Sequence, residues 1–146
     1  MIHPNHKTVL EINTTPEAET PTYAVVAKGF SNITEALNEV LYQASDLCDE
    51  GWGHSEVMGG QIIVTLTGVR ETGDKAQDYI FSPEVRLGFG EARKTTARLT
   101  QCNETLTCSV TLAKVDVSGG DSQAPAAVTV EIHFNGKPTL EEKTEV

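Results

Sequence analysis

The sequence predicts a mainly β domain, a small sandwich or barrel that carries one short α-helix. Apolar side chains occupy every second position in segments 105–112 and 128–134, which is typical of strands with one buried face. Segment 61–70 is apolar on both faces, so we expect it to be a central strand. Only segment 75–82 combines a capping signal with short helical spacing and a proline at its end.

The size and composition fit one globular domain with a modest core. The chain has 146 residues, of which 38% are hydrophobic and 22% are charged. Its net charge of −10 argues against tight binding of free nucleic acid, because such binding requires a cationic surface. Between residues 29 and 69 there is no Lys or Arg, but there are six acids: Glu35, Glu39, Asp46, Asp49, Glu50 and Glu56. They form either an ordinary solvated surface or a surface that repels a polyanion.

The first third of the chain is the hardest part to assign. Residues 1–21 contain three prolines and little periodicity, so we expect a flexible arm that is ordered only through contact with another molecule. A first strand is predicted over 23–28. Residues 31–47 have apolar side chains at helical spacing, which favours a helix, but a strand followed by a loop stays open as the alternative. Residues 46–58 are expected to form a loop.

The helix predicted over 75–82 is a packing element. Asp74 is the candidate N-cap, and Gln77 lies three residues further on, at the spacing of a capping box. Pro83 ends the helix, because the residue before a proline avoids helical geometry. Three side chains share one helical face and are expected to pack against the sheet: Ala76, Tyr79 and Ile80.

The later elements follow a regular β pattern. A weaker strand is predicted over 94–101, a turn over 101–104, and a longer link over 118–124 before the last strand. Cys108 falls on an apolar strand face, so we expect it to be buried as a small hydrophobic side chain. Residues 139–146 are predicted to be a short charged tail.

No combination of side chains predicts a catalytic, metal or cofactor site. The four histidines lack a partner at a metal-ligand spacing, and the spacing of Cys102 and Cys108 is not that of a zinc site. His54 lies near Asp49 in a polar segment, which leaves a hydrolytic site as an alternative. Trp52 stands between two glycines and is either an exposed anchor for a partner or a lid on the core. No apolar run approaches the length needed to cross a membrane.

Three separated motifs, in order along the chain, carry a family resemblance. They are Thr67-Gly-Val-Arg70 leading into Gly73-Asp-Lys-Ala-Gln-Asp-Tyr-Ile-Phe-Ser82, Arg93-Lys-Thr-Thr96, and Glu131-Ile-His-Phe-Asn-Gly-Lys-Pro138. These motifs resemble the major tail tube proteins of long-tailed bacteriophages that infect Gram-positive bacteria. The resemblance covers residues 22–138, which would form the tail tube β domain, and it departs from the family at 32–49, where this sequence is more helical in pattern.

The resemblance implies a two-sheet β fold flanked by a helix, as in phage and type VI secretion tubes, in a structural virion protein that is not an enzyme. Six such subunits form a ring, and stacked rings form a hollow tube through which genomic DNA passes without specific binding. The implied partners are further copies of the chain, a tape measure protein, a tail terminator and tail-tip or baseplate proteins, with no membrane and no cofactor. The protein would be made in the host cytoplasm, which suits its free thiols, and would end up in the virion.

Two groups of residues receive roles under this hypothesis. The candidate lumen acids are Glu35, Glu39 and Asp46, because an acidic channel would repel phosphates. The candidate inter-ring loop consists of Asp49, Glu50, Trp52 and His54. The alternative hypothesis is a small β-sandwich binding or adaptor domain that does not assemble into tubes.

Overall fold

The computed structural model describes residues 1–142 and consists mainly of antiparallel strands. Within these residues the strands are β1 (Val9–Asn13), β2 (Tyr23–Val25), β3 (Phe30–Ala36), β4 (Val40–Ala44), β5 (His54–Gly59), β6 (Ile63–Val69), β7 (Lys94–Gln101), β8 (Glu104–Asp116), β9 (Ala127–Phe134) and β10 (Thr139–Glu142). The α-helices are α1 (Lys75–Ile80) and α2 (Pro83–Arg86), and short 3₁₀ turns lie at Asn5–Lys7, Leu47–Asp49 and Gly90–Arg93. No helix within residues 1–142 is both long and apolar enough to cross a membrane.

Eight of these strands form one antiparallel sheet whose two halves share a long strand. The strand order is β2-β1-β7-β8-β9-β6-β3, and β10 lies beside β8. The first part of β8 pairs with β7 and β10, and its last part pairs with β9. A register shift lies between Ala113 and Asp116, where Lys114 has a φ of 49°, and such bulges bend a strand. The fold class is the predicted one, mainly β with a flanking helix.

The core lies between the inward faces of the two halves and beneath the helices. Alternate residues of β9 are buried, as the strand pattern predicted: Val128, Val130, Ile132 and Phe134. Other buried members come from β1, β6, β7, β8, α1 and α2: Leu10, Ile12, Val64, Leu66, Ala97, Leu99, Cys108, Val110, Leu112, Ala76, Ile80 and Val85. Each large aliphatic or Phe side chain buried in this way contributes roughly 1.5–3 kcal/mol. Cys108 is buried, as predicted.

Both ends of the described chain are more ordered than the sequence suggested. The prediction of a flexible arm over 1–21 is wrong for Val9–Asn13, which pairs with β2 and β7 and buries Leu10 and Ile12. Its short period-2 pattern is hidden between prolines, and the long-range pairing that stabilises it is invisible in local sequence. The prediction of a tail over 139–146 is wrong for Thr139–Glu142, which pairs with β8, and residues 143–146 lie outside the described residues.

Residues 31–47 form strands and not a helix. Phe30–Ala36 pairs with β6 along its length, and Val40–Ala44 pairs with β5. Of the apolar residues that suggested a helical face, Ile33 packs against the core, whereas Leu37, Val40 and Leu41 are half exposed or more. The loop predicted over 46–58 is likewise partly strand, since β5 begins at His54.

Asp74 and Ser82 cap two successive short helices. Asp74 Oδ2 accepts a hydrogen bond from Gln77 N at 3.2 Å, and its backbone is extended as an N-cap requires. The predicted helix over 75–82 ends at Ile80, and a second helix of one turn follows, with Ser82 as its N-cap and Pro83 in its first turn. The second half of the expected capping box is absent, because the Gln77 side chain bonds elsewhere.

Gln77 joins α1 to two strand ends through a buried amide. Its Oε1 accepts hydrogen bonds from Glu71 N at 2.9 Å and from an Arg70 guanidinium nitrogen at 3.3 Å. Its Nε2 donates to Lys28 O at 2.9 Å and to Val69 O at 3.0 Å. Gly29 has a φ of 88°, and a Cβ there would overlap the Gln77 amide, so only glycine allows this approach.

Candidate functional site

The hairpin, defined as residues 37–60, projects from the large sheet as a separate two-stranded ribbon. Its strands β4 and β5 pair only with each other among the strands of the described chain. Every residue of β5 is exposed, and β4 is exposed except for Ala44. The ribbon is fixed at its base, where Gln61 N donates to Leu37 O at 2.7 Å and Asn38 Nδ2 donates to Gln61 O at 3.2 Å. Beyond the base, Glu39 and Val57 border a groove with Lys137 and Pro138 of the same chain.

Both faces of the hairpin present large apolar side chains to solvent. Leu41 and Val57 are cross-strand partners on one face, and Tyr42 lies on the other opposite Glu56. The apolar residues are between 50% and 107% exposed: Leu37, Val40, Leu41, Tyr42, Leu47, Trp52, Val57 and Met58. A lone two-stranded hairpin is at best marginally stable in water, and clustered exposed apolar side chains mark interaction sites. The hairpin therefore has the composition of a surface that another protein covers.

The hairpin also concentrates negative charge. It carries five acids and no Lys or Arg, which equals half of the net charge of the whole chain: Glu39, Asp46, Asp49, Glu50 and Glu56. A partner that covers this ribbon must supply cations or leave the carboxylates in water, because burial of unpaired carboxylates is costly.

The far end of the hairpin is organised by reciprocal hydrogen bonds between two aspartates. Asp49 N donates to the backbone oxygen of Asp46 at 3.0 Å, and Asp49 Oδ2 accepts from Asp46 N at 2.8 Å, which closes the turn around Leu47–Asp49. His54 Nδ1 lies 3.4 Å from Asp49 Oδ2. These three side chains place one ligand atom each within 4.8 Å of one another. Asp49 Oδ2 already accepts a hydrogen bond from Asp46 N, and Asp46 and His54 are exposed, so the cluster is an ordered turn.

A second exposed surface lies on the link after α2. Leu87 is 77% exposed and Phe89 is 88% exposed. Phe89 borders a shallow groove, here called the Phe89 groove, together with Arg93, Lys94 and Lys114. Arg93 holds the link in shape, because its guanidinium donates to Gly88 O at 3.1 Å and to Arg86 O at 2.9 Å.

Two carboxylates pair with the lysines of this groove. Lys94 Nζ lies 3.5 Å from Glu91, and Lys114 Nζ lies 3.4 Å from Glu131. His133 Nε2 is hydrogen-bonded to Glu131 Oε1 at 3.0 Å, and this bond, assisted by Lys114, holds the pKa of Glu131 below its ordinary value. The groove is thus a small basic and apolar region on a strongly acidic molecule.

No family model and no curated protein matches the sequence, but solved structures match its fold. A chain from the tail of an empty GTA particle, determined by helical refinement with C6 symmetry, has a TM-score of 0.68 at 13% identity, covering 98% of this chain and 100% of that one. A chain from the virion of a native gene transfer agent particle has a TM-score of 0.70 at 11% identity, covering 96% and 99%. This fold therefore occurs in the tail of a GTA particle.

A contractile machine contains the same fold. A chain from the sheath-tube complex of an extracellular contractile injection system in its extended state has a TM-score of 0.53 at 10% identity, covering 97% of this chain and 92% of that one. In all three cases the likeness extends over nearly the whole of this chain, so it includes the strands on both sides of the hairpin.

The four residues predicted as a loop for contacts between rings lie together at the far half of the hairpin. Glu50 has a left-handed backbone with a φ of 53°, and Trp52 is 79% exposed, so Trp52 is not a lid on the core. The sequence prediction missed the two strands that carry this loop and the exposed apolar residues along them. Val40-Leu-Tyr42 and Val57-Met58, which flank a polar glycine-containing segment, were the available signal.

The three predicted lumen acids lie on different elements. Glu35 is on β3 of the large sheet, where its Oε2 accepts a hydrogen bond from Gln101 Nε2 at 3.0 Å. Glu39 lies at the base of the hairpin, immediately before β4, and Asp46 lies at the hairpin's far end. Their assignment to a channel stays a prediction.

The predicted packing residues of α1 face the sheet. Ala76 and Ile80 are fully buried, and Tyr79 is partly buried against the same core. Burial raises the pKa of Tyr79, and a side-chain hydrogen bond with Thr95 opposes that rise. The sequence did not reveal the bonds of Gln77 and Arg70, because Gln77 donates to Lys28 O, 49 residues away, and Arg70 bonds to side chains of α1 that local periodicity does not identify.

Proposed function

We propose that this protein is a tail tube subunit whose copies form hexameric rings that stack into a hollow tube. The proposal is supported by the fold, which is shared over nearly the whole chain with a protein from a C6-symmetric tail. It is also supported by the motifs at 67–82, 93–96 and 131–138, which resemble major tail tube proteins of long-tailed phages of Gram-positive bacteria. The protein would then belong to the virion and serve structure, not catalysis.

The hairpin is the observation that carries the proposal. Its apolar side chains are exposed on both faces, and no third strand from residues 1–142 pairs with the ribbon. An isolated ribbon of this kind gains stability only by packing on something else. In a stacked assembly every hairpin would contact a neighbouring copy, so the apolar surface that is exposed in the monomer would be buried between subunits.

The charge of the chain fits a conduit for DNA. A net charge of −10 opposes adsorption of phosphates on the walls, and Glu35, Glu39 and Asp46 are the proposed lumen acids. A tape measure protein would set the tube length during assembly, and terminator and tip proteins would close its ends. Genomic DNA would pass through without a specific binding site.

Electron microscopy of the purified full-length protein tests the proposal. At high protein concentration we expect rings or tubes, whose end-on averages should show sixfold symmetry. Uniformly dispersed monomers at every concentration and salt condition would contradict tube formation and favour the alternative, a binding or adaptor domain that uses its hairpin to bind a different protein.

A further inference from the structure

We propose that the hairpin of one copy docks into the Phe89 groove of a second copy. This inference rests on the proposed function for its setting, and it goes further by naming the two surfaces that meet. The tail tube hypothesis requires contact between copies, but it leaves open which part of the neighbour receives the hairpin.

Charge complementarity is the first argument. The hairpin has five acids and no Lys or Arg, and three of them, Asp49, Glu50 and Glu56, are not among the proposed lumen acids, so its charge favours a basic surface. The Phe89 groove offers Arg93, Lys94 and Lys114, opposed by only two acids, the Glu91 and Glu131 carboxylates that pair with the lysines. Lys94 and Lys114 are 48% and 72% exposed at the side chain, so both ammonium groups can reach a second partner. On a chain of net charge −10, a cationic excess of this kind is a selective target.

Apolar complementarity is the second argument. Phe89 and Leu87 project beside the groove with most of their surface in water. On the hairpin, the Leu41–Val57 cross-strand pair presents an aliphatic face that is more than half exposed. An aromatic side chain packed against such a pair is a common centre of protein interfaces, and the surrounding Lys–Glu contacts would form the polar rim.

The two surfaces do not satisfy each other within one subunit, because both are exposed in the same chain. Contact between two different surfaces of identical copies is heterologous, and it propagates from copy to copy until a ring closes or a stack forms. A single hairpin–groove contact would therefore link many subunits.

Charge reversal tests the docking in the full chain. The hairpin variant carries Glu50→Lys and Glu56→Lys, which lie outside the Leu47–Asp49 turn, and the groove variant carries Lys94→Glu and Lys114→Glu. Each variant alone should raise the concentration needed for self-association by about tenfold or more, as like charges meet. All four substitutions in one chain should return self-association to near the wild-type level, as should mixing the two variants.

A matched control separates this contact from a general charge effect. The control combines the hairpin variant with Lys7→Glu and Lys28→Glu, two exposed lysines outside the groove. This control should not regain wild-type self-association. The proposed docking would be overturned if this control regained self-association, or if the chain with the hairpin and groove reversals together did not. Circular dichroism of each variant checks the fold, and Phe89→Ser, at a side chain that is 88% exposed, serves as a second groove variant if the lysine reversals disturb β7 or β8.

Photocrosslinking separates failure of the docking from failure of the tube. With a photoreactive benzoylphenylalanine in place of Phe89, the crosslinked peptide from a second copy should fall within residues 37–60. Tubes with crosslinks outside that range, or with none between copies, would overturn the docking while leaving the tube intact. Dimers crosslinked within that range in a protein that never forms tubes would support the docking and contradict the tail tube function.

Discussion

At the residue scale, Gln77 determines how the helix junction packs. Its amide satisfies backbone groups of Lys28, Val69 and Glu71, and it is fully buried. Buried backbone groups that lose their partner cost more than an ordinary hydrogen bond contributes, because they have already lost water. Arg70 adds to the same cluster through Asp78 at 3.0 Å and the face of Phe81 at 5.5 Å.

Gln77→Leu should destabilise the protein by about 3 kcal/mol, since an apolar side chain of similar size leaves two carbonyls and one amide unpaired. Asp74→Ala is the matched comparison on the same helix, and it should cost only about 1 kcal/mol because it removes a single cap hydrogen bond, from Gln77 N. Urea unfolding followed by circular dichroism measures both. An equal decrease in the free energy of unfolding in both variants would contradict a larger contribution from the buried Gln77 amide.

Glu131 should make stability depend on acid pH. Its pKa in the folded chain lies below the ordinary value of 4.5, chiefly through the His133 hydrogen bond, so its ionised form stabilises the fold. This contribution is complete above the unfolded pKa and is lost as pH falls through the lowered folded pKa. Glu131→Gln should therefore be less stable than wild type at pH 7, and the difference should shrink at about pH 3. A difference that is constant across this range in urea titrations would contradict the assignment.

At the element scale, β1 ties the N-terminal segment to the sheet. It pairs with β7 through residues 9–12 and with β2 through residues 11–13. Its two fully buried side chains, Leu10 and Ile12, belong to the central core. Removing this strand would open the core on one side and leave β2 without a neighbour.

Deletion of residues 2–18 should therefore prevent stable folding, whereas deletion of residues 2–6 should leave the sheet intact. Large-to-small changes at buried aliphatic positions cost roughly 2–5 kcal/mol each, and the longer deletion removes two such side chains together with a strand. Thermal unfolding by circular dichroism compares the two truncations. A cooperative transition near the wild-type midpoint in the longer deletion would show that β1 is dispensable.

Unlike β1, the hairpin contributes none of its residues, 37–60, to the buried core. Replacing residues 39–59 by a short Gly-Ser linker should keep the unfolding midpoint close to that of the wild type, since Leu37 and Gln61 already lie within hydrogen-bond distance at the base. The same variant should be monomeric at concentrations where the wild type associates. Sedimentation velocity and thermal unfolding decide the matter, and assembly of the shortened protein would assign the contact to another surface.

At the scale of the whole molecule, charge is distributed unevenly between the sheet and the hairpin. The stretch from residue 29 to residue 69 has six acids and no Lys or Arg. In a tube, part of this stretch would face the channel and part would face a neighbouring copy. At 0.1 M salt, interactions between exposed charges more than about 10 Å apart are largely screened, so an effect of these acids on DNA should weaken as ionic strength rises.

Glu35→Lys, Glu39→Lys and Asp46→Lys together should slow DNA release from assembled particles, most strongly at low ionic strength. The reason is that each lysine facing the channel would attract phosphates, and this attraction weakens with salt. Glu35→Gln, Glu39→Gln and Asp46→Asn form the matched neutral control, which should release DNA at nearly the wild-type rate. DNA release is measured by the dye accessibility of the ejected DNA. An unchanged release rate in the lysine variant would contradict the assignment of these acids to the lumen.

The sequence by itself determined the fold class and the buried strands of the last third. Alternation from Val128 to Phe134 and around Cys108 predicts which face is buried, because side-chain direction in a strand has a strict period of two. The Asp74 cap and the Ala76 and Ile80 contacts were also predictable, since they depend on residues only a few positions apart.

Only the tertiary structure decided the elements whose partners are distant in sequence. Strand β1, strand β10 and the bond from Gln77 to Lys28 depend on segments tens of residues away, and local periodicity carries no record of such pairing. Residues 31–47 show the same limit in reverse. Their apolar spacing favours a helix locally, but Ile33 pairs with Leu66 in the sheet, and Leu41 and Tyr42 lie exposed in the hairpin. Helix propensity is a weak preference, and strand pairing with β6 and β5 outweighed it.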